Sequence, residues 1–142
     1  MTIRTKLILF LSCCFLMVYA RTLPADEAAE KAAQAAAKEW LSLVDQGKYA
    51  ESWETAAAYF KNAVSEKQWL QSMKGARQPL GKLVSRELRN ATFTTNLPGA
   101  PDGQYVVIQY ATSFENKGSA VETVTPMLDR DQKWRVSGYF IK

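Results

Sequence analysis

The chain has 142 residues, with 18 Lys or Arg, 14 Asp or Glu, two cysteines and no histidine. That length points to one domain. The missing histidine removes the usual general base, the usual partner of a Ser or Cys nucleophile and the commonest transition-metal ligand.

The N-terminus carries Arg4 and Lys6 and no acid before Asp26. Leu7 to Val18 is an almost unbroken apolar run, and Val18-Tyr19-Ala20 then places small residues three and one positions before a cut. Basic start, apolar stretch and small-x-small site are the parts of a secretory signal. The run is too short for a membrane-spanning helix, which needs about 20 residues. Residues 1–20 therefore read as a signal peptide cleaved between Ala20 and Arg21, and residues 21–142 as a single exported domain. The periplasm is the first expected destination and secretion the second. Two alternatives stay open: an uncleaved N-terminal anchor, and lipid anchoring at Cys14 through Leu11-Ser12-Cys13-Cys14.

Cleavage takes away both cysteines, so the exported part has no disulfide, no thiol nucleophile and no thiolate metal site. It also takes the 18 basic residues down to 16, so the charge falls from +4 to +2. No basic stripe of the kind that binds nucleic acid is present.

A first helix is expected from Ala25 to Gln46, with Ala29, Ala33, Ala36, Ala37, Trp40, Leu41 and Val44 on one face and Gly47 as its stop. A second is expected from Tyr49 to Asn62, with Tyr49, Trp53, Ala56, Ala57 and Phe60 sharing a face. Ser65-Glu66-Lys67-Gln68 is a capping box that opens a third helix, ended by Gly75, Pro79 and Gly81. Beyond Gly81 the composition turns to Val, Thr, Tyr and Phe. Strands are expected over 82–95, 105–114, 120–129 and 134–141. Asn116-Lys117-Gly118 is read as a turn, and Pro126 as an edge or a bulge. Trp134, Val136 and Phe140 are expected to share a face. Helices followed by strands imply an α+β domain, three helices packed on one face of a four-stranded antiparallel sheet.

Several stretches carry a resemblance: Trp40-Leu41-x-Leu43-Val44-Asp45-x-Gly47-x-Tyr49-x-x-Ser52-Trp53, Pro79-Leu80-Gly81 with Val84-Ser85-Arg86, Leu97 to Val107, Glu122-Thr123-Val124 and Trp134 to Tyr139. In these the chain resembles a small bacterial exported family known as a domain of unknown function, number 4019. Its element order is similar to the nuclear-transport-factor-2-like cone, a cystatin-like architecture. The resemblance implies export and a curled sheet; it implies no activity.

The chain offers no Ser-x-x-Lys, no Gly-x-Ser-x-Gly and no phosphate-binding glycine loop. Asp129 and Asp131 read as turn residues, Glu51 and Glu54 as a solvated helix face, and Asp45 as a tie for the Gly47 turn. Arg86 and Arg135 are anion-binding candidates, with cross-strand pairing to Glu87 or Glu122 as the plainer alternative. The aromatics are core residues first. A cone nonetheless leaves room for a pocket, and the candidate lining is Trp40, Tyr49, Trp53, Arg86, Tyr110, Trp134 and Tyr139.

No cofactor and no metal is expected. The leading expectation is a non-enzymatic binding module for a small apolar ligand or a protein partner. One alternative is an isomerase- or dehydratase-like enzyme using Asp or Glu with Tyr, which requires a buried carboxylate beside Tyr110 or Tyr139 facing a cavity. The other is an assembly domain that dimerises through its sheet. Mass spectrometry of the protein recovered after export should find Arg21 as its first residue; an acylated cysteine there overturns the cleavage reading.

Overall fold

The computed structural model describes residues 24–142; the signal peptide, its Ala20–Arg21 cut and Cys14 lie outside the described residues. The elements run α1 (Ala25–Asp45), α2 (Tyr49–Glu54), α3 (Ala58–Ala63), α4 (Glu66–Ala76), a short 3-10 turn (Gln78–Leu80), β1 (Leu83–Thr94), β2 (Tyr105–Phe114), β3 (Lys117–Leu128) and β4 (Trp134–Ile141). The strands form one antiparallel sheet in the order β1-β2-β3-β4. Helices cover its inner face, giving the expected α+β class with a curled open sheet. Among the described residues no helix is long and apolar enough to cross a membrane.

The helix expected over 49–62 is two helices. The break at Thr55–Ala57 follows from a competing bond: the Ala57 amide donates to the Val136 carbonyl of β4 at 2.8 Å. Ala56 and Ala57 are buried there, and a continuous helix would carry them past the strand. The Asp129 carboxylate, 71 residues on, then receives the Ala58 amide at 3.1 Å and caps α3. The Ser65–Gln68 capping box that opens α4 is present in full.

The β2–β3 turn is Glu115–Asn116, because Phe114 pairs with Lys117. Lys117 and Gly118 belong to β3 rather than to the turn. Gly81, between the 3-10 turn and β1, has φ 76° and ψ −157°, a region essentially confined to glycine. A Cβ there would also stand 3.0 Å from the Glu115 Cβ.

Pro126 sits at a bulge and not at an edge. The pairing shifts from Thr125↔Gly138 to Pro126↔Val136, so Ser137 is the extra residue. Its hydroxyl donates to the Thr125 carbonyl at 2.7 Å. The one-residue shift exchanges faces along the rest of β4. Tyr139, opposite buried Val124, therefore turns inward. Phe140, expected on the Trp134–Val136 face, is 62% exposed instead.

The core joins α1 residues Ala33, Ala37, Trp40, Leu41 and Val44 and α4 residues Trp69 and Met73 to Val106, Ile108, Tyr110, Val124 and Val136 of the sheet. Ala33 and Ala37 are fully buried; their small side chains let α1 lie close to the strands. An aromatic cluster fills the space beneath the helices. Trp40 stands 5.2 Å from Tyr139 and 5.8 Å from Trp69, and Phe60 meets Trp69 edge-on at 5.2 Å. These edge-on and tilted contacts are favoured geometries for aromatic rings.

Candidate functional site

The Trp40–Trp53 stretch is bonded within itself and to Trp69 of α4. The Trp40 indole donates to the Ser52 carbonyl at 2.8 Å, and the Trp69 indole donates to the Ser52 hydroxyl at 2.9 Å. Ser52 Oγ in turn donates to the Tyr49 carbonyl at 2.7 Å. These bonds lock the last turns of α1 against α2 and α4, and so fix Asp45 at the end of α1.

Asp45 does not tie the Gly47 turn as expected. That turn closes through backbone bonds from Gly47 to Val44 and from Lys48 to Leu43. The carboxylate instead faces two guanidinium groups. Arg86 reaches it through Nη1 at 2.7 Å and Nη2 at 2.9 Å, and Arg77 through Nη2 at 3.2 Å. Arg86 is bound on its other side by Glu122, with Nε at 2.7 Å from Oε1 and Nη2 at 3.2 Å from Oε2. Thr112 donates to Glu122 Oε1 at 2.7 Å, and the Tyr139 hydroxyl donates to Oε2.

Burial makes this network consequential. The Glu122 side chain is 0% exposed, Arg77 3%, Arg86 13% and Asp45 19%. Two carboxylates and two guanidinium groups balance in charge. Burial works against the Arg86 cation, but hydrogen bonds and charges from Asp45 and Glu122 outweigh it, and its pKa is raised. Burial, followed by the Glu122 charge, pushes the Tyr139 phenol far above its ordinary 10.0. Arg77 also donates to the Gly81 carbonyl at 2.6 Å and lies 4.4 Å over the Phe114 ring. Its Nε has no partner among the described residues.

A cleft of about 600 Å³ opens beside this network, between α1 and strands β1 and β2. Leu41, Ala35 and Tyr110 supply its apolar surface, and Gln34, Lys38, Ser42, Asp45, Gln46 and Arg86 its polar one. Tyr110 is buried, yet its hydroxyl makes no hydrogen bond to a described residue. Burial raises its pKa, opposed by the Arg86 charge and reinforced by Glu122.

The seven proposed lining residues are thus divided. Arg86 and Tyr110 meet in the cleft. Trp40 and Trp134 line a separate groove of about 370 Å³ between α1 and β4. Tyr139 is part of the aromatic cluster and of the charge network. Trp53 donates to the Val64 carbonyl at 2.8 Å, and Tyr49 is partly buried against the core. Of the pairings weighed for the arginines, Arg86 takes Glu122. Arg135 takes Asp129 at 3.3 Å and Asp131 at 2.7 Å instead of a strand glutamate, and holds the Asp131 carboxyl down to about 2.

Sequence reasoning missed Arg77 and Thr112 and gave Glu122 only a pairing role. A signal was present. Ala120, Glu122, Val124 and Pro126 alternate on one buried face, and an acid in such a row must have partners. Thr112 occupies the matching position between Tyr110 and Phe114. Among the described residues no group of three or more acidic side chains is placed to hold a metal ion.

Fold and site together define an α+β domain whose helices are tied to a curled sheet by buried charges, with a cleft at the tie. A family model described as "Protein of unknown function (DUF4019)" matches residues 36–139, and the chain belongs to that family. The matched span contains every member of the network, from Asp45 to Tyr139. No curated protein matches the sequence at a significant level.

Replacing Arg86 with Met leaves buried Glu122 without a cation and Asp45 with Arg77 alone, and should lower unfolding free energy by about 3–5 kcal/mol. Glu122→Gln should cost a comparable amount, and the double variant less than the two combined, because each single change strands a charge. Strict additivity in denaturant titrations would show that the two are not coupled.

Tyr139 supplies a pH test. Its folded pKa lies above the unfolded value near 10, so its contribution is complete below pH 10 and fades as pH rises further. The stability gap between the natural protein and Tyr139→Phe should therefore shrink above pH 10; a gap that holds or widens contradicts the placement of this phenol.

Proposed function

We propose that this chain is an exported, non-enzymatic module that binds a small molecule in the α1–β1–β2 cleft. The observation that carries the reading is the cleft itself, apolar on one side and ringed by polar groups, with the hydroxyl of a largely buried tyrosine left without a protein partner. That combination is the usual composition of a ligand site. Export is supported by the signal pattern of residues 1–20, and a cone of the nuclear-transport-factor-2-like kind by the element order and the curl of the sheet.

The enzyme alternative needs an acid beside Tyr110 or Tyr139 with a lone pair turned toward the cleft. Glu122 is buried beside Tyr139, but each of its oxygens already accepts two hydrogen bonds and it does not line the cleft. Asp45 does line the cleft, and two guanidinium groups hold it. Three N–H donors already occupy its two oxygens, so few of its lone pairs are free to take a proton from a ligand.

Fragment screening by two-dimensional NMR tests the reading. Hits should perturb Ser42, Asp45, Arg86 and Tyr110 together. Ala35 is exposed on the cleft wall, so Ala35→Trp should fill the cleft and abolish those perturbations while leaving the melting temperature nearly unchanged. An absence of hits at these residues, or hits confined to the Trp40–Trp134 groove, would overturn the proposal.

A further inference from the structure

The polar groups of the cleft are unequal in number, and the inequality points to a ligand class. Of the five N–H groups that an arginine carries, four of Arg86 are engaged, one by Nε, one by Nη1 and two by Nη2. One N–H on Nη1 remains. Tyr110, whose hydroxyl is unengaged, lines the same space. Lys38, exposed at the cleft wall, has no ion-pair partner among the described residues. Three donors, two of them cationic, thus border one cavity.

Gln34 and Gln46 carry both donor and acceptor and favour neither sign; the imbalance lies in the charged groups. Asp45 is the acid that lines the cleft, and Arg86 and Arg77 neutralise it. The Ser42 hydroxyl already accepts from Gln46 at 2.9 Å. Counting Asp45 and Glu122 against Arg77, Arg86 and Lys38 leaves one positive charge, carried by Lys38. The remaining lining at Leu41, Ala35 and the Tyr110 ring suits an apolar body.

Resting on the small-molecule reading above, we propose that the ligand is an amphipathic monocarboxylate. Its acid group lies at Lys38, the Tyr110 hydroxyl and the spare Arg86 N–H, and its apolar part lies along Leu41 and Ala35. Arg86 itself is a poor variant for a test, because its loss unfolds the tie between helix and sheet. Lys38 is exposed, and Tyr110→Phe removes one oxygen, so both variants keep the fold.

Calorimetric titration of the purified protein with 4-phenylbutyrate, 4-phenylbutanamide and 4-phenylbutylamine tests the assignment. The three share a body and differ in the polar group. The carboxylate should bind about tenfold more tightly than the amide, since hydrogen bonds to a charged group are the stronger kind, and the amine should bind least. Lys38→Gln should weaken carboxylate binding by about fivefold and reduce its salt dependence, while leaving the amide unchanged. Tyr110→Phe should weaken both acid and amide. Equal binding of acid and amide, or indifference of the acid to both variants, would overturn the proposal. If none of the three binds while neutral fragments still perturb the cleft in NMR spectra, the carboxylate assignment fails and the ligand site stands. If fragments leave the cleft untouched as well, the underlying reading fails with it.

Discussion

One guanidinium group between two carboxylates organises this fold. Arg86 lies on β1, Asp45 ends α1 and Glu122 sits in β3, so a single side chain ties the long helix to an edge strand and an inner strand at once. The interaction also corrects a local defect. Asp45 is an acid in the last turn of a helix, where the macrodipole disfavours negative charge, and that turn contains no basic residue. Arg77 and Arg86 supply the missing positive charge from elsewhere in the chain. Burying four ions costs several kcal/mol for each before their attraction is counted. The cost is tolerable because the geometry leaves both oxygens of Glu122 and both of Asp45 hydrogen-bonded, with Thr112 and Tyr139 occupying sites the arginine does not reach.

The network depends in turn on a defect in the sheet. Without the extra residue at Ser137, Phe140 and not Tyr139 would point at Glu122. Pro126 opposite the bulge cannot donate to the ladder, and the Ser137 hydroxyl donates to the neighbouring Thr125 carbonyl. The edges are managed by similar local means. The Ala57 amide attaches the α2–α3 connection to β4, and Glu30 of α1 accepts the Phe93 amide of β1 at 3.1 Å. Irregular pairing at Val84 and Arg89, together with the charges along β1, makes that strand a poor template for a further one.

Much of this was legible in residue order, for identifiable reasons. The alternation from Tyr105 to Phe114 and the Ser65–Gln68 box are local signals, and they place β2 and the start of α4 correctly. The β2–β3 turn is misplaced by a local pairing, Phe114 with Lys117; the other misplacements arise from contacts distant in sequence. Tyr49 to Asn62 has a helical pattern throughout; only the β4 carbonyl at Val136 divides it. A bulge at Ser137 is invisible to a strict period of two, which puts Phe140 on the wrong face. Asp45 was legible as an acid at a helix end, but its partners lie 32 and 41 residues away. The one network contact open to reasoning was Arg86 with Glu122, because an arginine and an acid on inward-facing strand positions leave few other solutions.

The aromatic residues show why the site lies where it does. Trp40, Trp69, Phe60 and Tyr139 meet ring to ring beneath the helices and occupy the space that a hollow cone would give to a ligand. Space remains on the Arg86 side, where α1 passes from large buried residues to Ala35, Lys38 and Ser42 along its flank. There the sheet offers Tyr110 and a guanidinium group already committed to two acids. A pocket built against a committed charge differs from one built against a free charge. The arginine cannot swing out, because four of its bonds hold it, so a ligand of the proposed kind would come to a fixed donor. The entropy of ordering that side chain is met in folding, not in binding, and such a site would favour a ligand whose acceptor and apolar body already stand at the spacing between the Arg86 guanidinium and Leu41.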